Sequence, residues 1–260
     1  EGPGGKGANH SVAIAKAGGQ VKHIGAIGKD GSALESQLQG YGVNTDHVAL
    51  CDDATGHAVI YVDADAENSI VLYPGANRAI EQAGIERALE MARQGDWLVL
   101  QNETNMALEA VIVAKELGVK VAYSAAPFEA SAVEALIEHI DLIVVNEIEA
   151  EQLQAELPNR KDQISGIDML VTLGSRGAEY RSGGNVVNVP AFKVDPVDTT
   201  GAGDTYLGYF LAGIDEGASI ENAMKRASAA AALQVTQHGA ATAIPQRETV
   251  DLFILEGQNA

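Results

Sequence analysis

Residues 198–210 read Asp198-Thr-Thr-Gly-Ala-Gly-Asp-Thr-Tyr-Leu-Gly-Tyr-Phe210 and combine two carboxylates with a run of small residues. Small residues such as Gly201 and Gly203 let successive backbone N–H groups converge on one point, and an apolar helical pattern begins at Asp204. A helix N-terminus there adds partial positive charge. Phosphoryl transfer to an alcohol requires such an anion site beside a base, and Asp204 is the candidate base. The alternative is a glycine-rich turn that an aspartate caps.

A second glycine-rich stretch, Gly4-Gly-Lys-Gly-Ala-Asn9, lies near the start of the chain and precedes a helical run over 11–17. Glycines let backbone groups approach a polyhydroxylated ligand closely, and Lys6 and Asn9 can donate hydrogen bonds to it. The stretch is not a Walker A loop, because glycine rather than Ser or Thr follows the Gly-Lys pair. Neither stretch has the third glycine of the Rossmann fingerprint, which argues against an NAD-dependent oxidoreductase.

Taken together and in chain order, these stretches resemble the ribokinase-like carbohydrate kinases of the PfkB family. The resemblance extends from Gly4 to about residue 255. Further stretches that take part in it are Thr55-Gly56 and Pro74-Gly-Ala-Asn77 around a hairpin, Asn146-Glu-Ile-Glu149, and Thr172-Leu-Gly-Ser-Arg-Gly177. The resemblance implies an α/β fold with a doubly wound, mostly parallel sheet, helices on both of its faces and a small β lid.

The resemblance also implies roles for individual residues. Asp204 would be the catalytic base, and the backbone amides of Gly201, Ala202 and Gly203 would form the anion hole. The sugar would lie against the first glycine stretch and one later carboxylate: Gly5, Lys6, Gly7, Ala8, Asn9 and Glu103. ATP would lie along the later stretches: Asn146, Thr172, Leu173, Gly174, Ser175, Arg176 and Gly177. Mg²⁺ would bridge the ATP phosphates, with Glu149 acting on it indirectly.

Several of these residues also have a plain structural interpretation. Taken alone, Asn146 fits a helix cap, and Glu103 and Glu149 fit solvated surface positions. Lys6 also fits a solvent-exposed lysine, although its glycine neighbours favour a binding role. The resemblance assigns each of these side chains to a particular ligand.

By the same resemblance, a monovalent cation, K⁺, organises the anion hole. Its ligands would be the Asp198 carboxylate and four backbone carbonyl oxygens: those of Thr200, Gln234, Gln237 and Gly239. The chain departs from the family at Ala243, where a hydroxyl side chain is frequent. It departs again at 123–127, where Tyr-Ser-Ala-Ala-Pro stands in place of Asn-Pro-Ala-Pro.

The predicted activity is therefore ATP-dependent phosphorylation of the primary hydroxyl of a sugar. The Gly-Gly-Lys-Gly-Ala-Asn form of the first stretch favours ribose. Fructose, another ketose and a nucleoside remain open as acceptors, since related folds phosphorylate them. A hypothesis of a different class is a ligand-binding protein that keeps the fold without turnover, and the intact Asp204 argues against it.

The amino-acid composition of the chain limits the kinds of partner that the protein can bind. The 260 residues carry a formal charge of −19, which would repel nucleic acid and an anionic membrane surface. The single cysteine, Cys51, excludes an internal disulfide and fits a cytoplasmic protein. No uncharged apolar run approaches the roughly 18 residues of a spanning helix. The six histidines show no paired metal spacing, and we interpret them as surface or packing residues.

From residue 97 onward, short apolar strands alternate with helical patterns, which indicates a parallel sheet covered on both faces. The predicted strands are 97–100, 119–123, 142–145 and 169–173. Residues that follow such strands share the carboxyl edge of the sheet, where ligands bind in open α/β folds. Asn146, Glu149 and the 172–177 turn should therefore lie together.

The region before residue 97 differs in pattern. Alternating stretches at 57–63 and 69–73 predict a β-hairpin, part of a lid at about 55–77. We expect one domain over 1–260, with a possible homodimer through the lid. The resemblance also leads us to expect a first strand and a further part of the lid outside these residues, and the 155–168 segment is short for a crossover.

Overall fold

The computed structural model describes residues 2–62 and 68–257, and only the backbone of 60–62 and 68–70. Within these residues the chain forms ten α-helices: α1 Lys6–Lys16, α2 Ser32–Gly40, α3 Gln82–Leu89, α4 Ala107–Glu116, α5 Ala130–Leu136, α6 Glu147–Glu156, α7 Lys161–Ser165, α8 Ala202–Asp215, α9 Ile220–Gln234 and α10 Arg247–Gly257. The same residues form ten strands: β1 Lys22–Ile27, β2 Asn44–Leu50, β3 His57–Val62, β4 Asn68–Tyr73, β5 Trp97–Leu100, β6 Lys120–Ser124, β7 Leu142–Asn146, β8 Asp168–Thr172, β9 Ala178–Ser182 and β10 Asn185–Val189.

Six strands form the main sheet, in the order β10-β9-β8-β7-β6-β5. Strands β5 to β8 run parallel, whereas β9 is antiparallel to both β8 and β10. A separate parallel pair joins β1 to β2, and β3 and β4 form an antiparallel hairpin. The sheet is thus mostly parallel, as predicted, while the β1–β2 pair and the β9–β10 hairpin were not foreseen.

Strand β7 shows why helices cover both faces of the sheet. Leu142 and Val144 pack into one buried cluster with residues of α1, α8 and α9. The alternate residues, Ile143 and Val145, pack into a second cluster with residues of α3 to α6. Successive side chains of a strand point to opposite faces, so a continuous apolar strand requires two apolar layers. The predicted α/β class with helices on both faces is confirmed.

Helices α1 and α8 approach each other closely enough to exclude a side chain. A Cβ on Gly208 of α8 would lie 2.3 Å from the Cβ of Ala13 in α1. One turn earlier on each helix, Asn9 contacts Asp204. The two helices therefore run parallel where they touch, and their first turns lie side by side.

Helix α1 begins at Lys6, five residues earlier than the predicted run from 11. Gly5 precedes it with φ of 94°, a conformation that glycine adopts without a steric penalty. Lys6 to Asn9 therefore form the first turn of the helix rather than a loop ahead of it. The sequence pattern missed this start because glycines at 5 and 7 lower helix propensity.

Two further expectations concern connections. The hairpin predicted at 57–63 and 69–73 is present as β3 and β4, but its linking residues 63–67 lie outside the described residues. The short segment before β8 is filled by α6, a 3-10 turn over Pro158–Arg160 and α7. Among the helices described here, none is long and apolar enough to cross a bilayer.

Candidate active site

Asp204 lies in the first turn of α8 and is buried, with 8% of its surface exposed. Its Oδ2 accepts a hydrogen bond of 2.8 Å from Nδ2 of Asn9. Its Oδ1 lies 3.2 Å from Nε2 of His10. The fold thus brings the two glycine-rich stretches, 195 residues apart in sequence, into direct contact at one carboxylate.

The surroundings of Asp204 determine its charge state. Burial alone raises the pKa of this carboxyl, but hydrogen bonds from His10 and Asn9 and the charge of Lys6 outweigh it. The resulting pKa lies below its usual range. Asp204 is therefore ionised at neutral pH and able to accept a proton, as a general base must be.

The backbone ahead of Asp204 offers hydrogen-bond donors. Gly201 takes the left-handed conformation, with φ of 79°, and begins the helix. The amides of Gly203 and Asp204 donate to no acceptor among the described residues, whereas the Ala202 amide donates to the Thr199 carbonyl at 3.2 Å. A Cβ on Gly203 would meet no atom within 4 Å, so the space near it is open. An anion there meets two free amides at a helix N-terminus.

The residues predicted to bind sugar line one side of the same cleft. Glu103, just past β5, accepts a hydrogen bond of 3.0 Å from the Lys6 backbone amide, which joins β5 to the first turn of α1. Gly7 lies close to Gln101, since a Cβ at this position would be 3.3 Å from its Oε1. The predicted sugar residues line the cleft together with Gly201 and Asp204: Gly5, Lys6, Gly7, Ala8, Asn9 and Glu103.

The residues predicted to bind ATP also come together, at the carboxyl ends of β7 and β8. Asn146 is paired with Thr172 across these neighbouring strands. The 3-10 turn Gly174–Arg176 follows β8, and Arg176 forms an ion pair with Glu147 at the start of α6. The shared edge predicted from strand order is therefore present in the fold.

Asn146 and Glu149 form a reciprocal capping box on α6. The Asn146 side chain accepts from the Glu149 amide at 2.9 Å, and Glu149 accepts from the Asn146 amide at 2.8 Å. Burial raises the pKa of Glu149, while the Asn146 amide and the charge of Lys6 act against it. The charge of Lys6 also lowers the pKa of Asp204, so it acts on both carboxyl groups.

The model of the pfkB family carbohydrate kinases matches residues 1–247. The chain belongs to this family. A ribokinase of Haemophilus influenzae is 36% identical to this pfkB kinase over 266 residues, covering 96% of this chain and 87% of the relative. The predicted family is confirmed.

Solved structures agree with the fold of this pfkB kinase. Ribokinase from Thermotoga maritima has a TM-score of 0.87 at 31% identity, covering 97% of this chain and 87% of that one. Arabidopsis thaliana ribokinase, solved with ribose and ATP, has a TM-score of 0.84 at 28% identity, and the match covers 96% of this chain and 87% of that one. The ribokinase-like fold is therefore confirmed as well.

One residue at the centre of the pfkB kinase site was interpreted from sequence as a packing residue. His10 is buried, and its Nδ1 lies 2.8 Å from Nε2 of Gln101. Because an amide nitrogen only donates, we assign Nδ1 as the acceptor, which leaves the Nε2 proton for Asp204. The available signal was its position directly after Asn9, the last residue of the first glycine-rich stretch.

A network of hydrogen bonds in the pfkB kinase joins the residues predicted to hold a cation. Asp198 accepts from the backbone amides of Thr200 and Gly239, at 2.9 Å each. The hydrogen bonds from these amides hold the pKa of Asp198 below its usual range, and the bond from Gly239 has the largest effect. The Gln234 side chain donates to the carbonyl oxygens of the same two residues, at 2.6 and 3.3 Å. Gln237, another of the predicted cation ligands, lies just after the end of α9 and is exposed.

Proposed function

We propose that this chain transfers the γ-phosphoryl group of ATP to the primary hydroxyl of ribose. The observation that carries the proposal is the buried, ionised Asp204 beside the free amides of Gly203 and its own backbone. Support comes from the relative of Haemophilus influenzae named ribokinase and from the Arabidopsis thaliana ribokinase solved with ribose and ATP.

In the proposed reaction, Asp204 accepts the proton of the attacking hydroxyl. A bond forms between that oxygen and the γ-phosphorus, and the bond from phosphorus to the bridging oxygen breaks, which releases ADP. The amides of Gly203 and Asp204 stabilise negative charge on the transferring group. Asn9 and His10 hold the carboxylate in place through the two hydrogen bonds described above.

We propose that the sugar lies in the cleft beside Asp204, against Glu103 and the first turn of α1. Asn9, whose Nδ2 donates to Asp204, lines this cleft together with Glu103 and Lys6. The nucleotide lies along Asn146 and the 172–177 turn, with Lys6 between the two ligands.

We propose Mg²⁺ as the divalent metal that accompanies ATP. In the described part of the chain, no three His, Cys, Asp or Glu side chains cluster into a metal site. Mg²⁺ usually keeps several waters and binds through substrate phosphates and one or two carboxylates, so the single carboxylate of Glu149 beside bound ATP would suit it. Glu149 would hold the ion through water, and the ion would neutralise phosphate charge when bound.

The oxygen atoms predicted to bind K⁺ suit a cation less well, because some of them already have partners. Two of its expected carbonyl ligands, at Thr200 and Gly239, already accept hydrogen bonds from the Gln234 amide nitrogen. Ala243 adds no oxygen from its side chain. We therefore assign no step of the reaction to a monovalent cation.

We propose that the β3–β4 hairpin closes over the sugar as a lid and that a second copy of the chain covers it. Three of its side chains are largely exposed although apolar: Val59 at 42%, Val71 at 57% and Leu72 at 62%. Val59 and Val71 are paired across the hairpin and share one of its faces, while Leu72 lies on the other face. Exposed apolar surface of this kind marks interaction sites. We expect light scattering to show a dimer that Val71→Asp weakens, while Val186→Asp, at an exposed valine of β10, leaves it intact. A monomeric wild-type protein would contradict this proposal.

We place the reaction in the cytoplasm, where ATP is available and where a chain with the single cysteine Cys51 needs no oxidising environment.

The proposed function is tested by measuring ADP production from ATP with ribose, fructose, other ketoses and nucleosides in parallel. We expect the highest kcat/KM with ribose. A higher value with fructose or a nucleoside would replace the substrate and keep the kinase assignment. No ADP above the background of ATP alone, with any acceptor, would favour the ligand-binding protein.

A further inference from the structure

Gln234 and Asp198 hold the same two backbone segments from opposite sides. Asp198 accepts from the N–H groups of Thr200 and Gly239, and Gln234 donates to the C=O groups of the same residues. All four backbone groups are thereby paired. The two side chains together join the segment before α8 to the loop after α9.

The Gln234 side chain is fully enclosed, with 0% of its surface exposed. Its Nε2 lies between the two carbonyl oxygens, where their lone pairs converge. An amide N–H₂ has two donors and carries partial positive charge, so one nitrogen satisfies both oxygens. A cation held by the same oxygens would need the same place.

The position of this contact links it to the anion hole. Thr200 directly precedes Gly201, the residue that begins α8. A Cβ on Gly201 would lie 3.3 Å from the Cβ of Ala240, so the loop after α9 packs directly on this turn. Fixing Thr200 and Gly239 relative to each other therefore fixes the direction of the Gly203 and Asp204 amides.

We propose that the Gln234 amide takes the place of a monovalent cation in this kinase, so that the anion hole is assembled without K⁺. The proposal rests on the proposed kinase activity. Gln234 acts as a positioning residue, because it holds the turn that carries the donors and does not itself reach the phosphoryl group.

The orientation of the amide is the point on which the proposal depends. Within the described residues, the Gln234 Oε1 has no hydrogen-bond partner. If the amide were reversed, three oxygens would converge on one point and would require a cation there. The two orientations thus make opposite predictions about K⁺.

The first experiment compares wild-type kcat in KCl, NaCl and choline chloride at equal ionic strength, with saturating Mg-ATP and the best sugar. We expect the three rates to agree within about twofold, because the wild-type enzyme should need neither K⁺ nor Na⁺ and should lose nothing in choline chloride. A rise of roughly 10-fold or more in KCl would overturn the proposal and indicate the reversed amide. A protein without kinase activity in every salt would refute the proposed function instead.

The second experiment removes the amide. Gln234→Ala leaves the carbonyls of Thr200 and Gly239 unpaired, and we expect kcat in choline to fall roughly 10-fold and KCl to restore most of it. Gln234→Glu places a further acceptor beside the carbonyl oxygens of Thr200 and Gly239, and its kcat should depend on K⁺ more strongly than that of Gln234→Ala. Gln246→Ala, at an exposed glutamine outside the site, should match wild type in every salt. A Gln234→Ala enzyme with wild-type kcat in choline would contradict the proposal.

Thermal unfolding gives a readout that does not need activity. A cation that binds only the folded protein raises Tm with its concentration. At constant ionic strength, replacing choline by K⁺ should leave the wild-type Tm unchanged and raise that of Gln234→Ala. The opposite pattern, with K⁺ stabilising the wild type alone, would overturn the proposal even if no substrate had been identified.

Discussion

At the scale of single residues, the site depends on Asp204, a carboxylate that stays ionised although it is buried. Each of its oxygens has its own neighbour, Asn9 on one side and His10 on the other. Burial would favour the neutral acid, and the hydrogen bonds reverse that preference. Three predictions concern this carboxylate and the amides beside it.

The first prediction tests Asp204 as the base. Gly201 is the N-cap of α8 and no side chain caps this helix, so Asp204→Asn removes no cap. It turns an N–H₂ group toward one of the two donors, Asn9 or His10, and we expect the variant to fold with stability lowered by about 1–3 kcal/mol. It cannot accept a proton, and we expect kcat to fall by about 10²-fold or more. Steady-state kinetics and ATP binding by calorimetry check this. A folded variant that keeps most of its turnover would reduce the stretch to an anion site.

The second prediction concerns His10 and pH. As the proposed base, Asp204 must be ionised, so we expect activity to fall as pH drops through its pKa. His10→Phe removes a hydrogen bond that lowers this pKa, while burial and Lys6 remain, so the pKa rises. The acidic limb of kcat/KM should therefore move to higher pH. His10→Gln, which keeps an N–H donor, should move it less.

A structural role for His10 alone would lower activity equally at every pH and leave the limb in place. His139→Phe, at a half-buried histidine outside the site, serves as the control and should show the wild-type profile.

The third prediction tests the free amides at the start of α8. A methyl group on Gly203 has room in the folded protein, since a Cβ there meets nothing within 4 Å. The same methyl would occupy space where the phosphoryl group is proposed to lie. The variant keeps the backbone N–H, so any loss must come from the methyl group moving the phosphoryl group away from the two amides. We expect Gly203→Ala to keep its Tm and to lose up to about 10²-fold in kcat, comparable to the loss of one such contact. Wild-type kinetics would show that the phosphoryl group lies elsewhere.

At the scale of elements, the contact between α1 and α8 positions the site. Gly208 allows the two helices to approach, because any Cβ there would lie 2.3 Å from Ala13. Asn9 and His10 extend from one helix and Asp204 from the other. A small change in the spacing of these helices therefore changes the distances at the carboxylate.

Gly208→Ala should accordingly lower stability by about 1–3 kcal/mol through overpacking, seen as a lower Tm and denaturation midpoint. The matched control is Gly84→Ala in α3, where a Cβ meets nothing within 4 Å and alanine favours the helix by up to about 1 kcal/mol. Equal stability of the two variants would show that the helices are not in tight contact at Gly208.

At the scale of the whole molecule, the formal charge of −19 opposes compaction. Salt shortens the Debye length from about 30 Å at 0.01 M to about 8 Å at 0.15 M, which weakens repulsion among surface carboxylates. We expect Tm to rise over this range equally in KCl and choline chloride. A rise confined to KCl would point to a specific site rather than to screening.

The sequence by itself determined the local features of this protein. The apolar stretches at 97–100 and 142–145 became β5 and β7, because strand formation is set by a few consecutive residues. The helices after both glycine-rich stretches were also predicted, although α1 begins at Lys6 and α8 at Ala202, ahead of the predicted starts at 11 and 204. Each follows a glycine of positive φ, Gly5 or Gly201, a conformation that glycine takes without strain. The order of these stretches was sufficient to predict the family.

Only the tertiary structure decided which side chains meet. The sequence predicted Gln234 only through its backbone carbonyl and His10 only as a packing residue. The roles of their side chains were missed because the partners lie far away in sequence: Asp204 for His10, and Thr200, 34 residues away, for Gln234. A buried polar group takes its role from the donors and acceptors that the packed elements place around it. No local pattern records that arrangement, which arises only when the helices and the sheet are assembled.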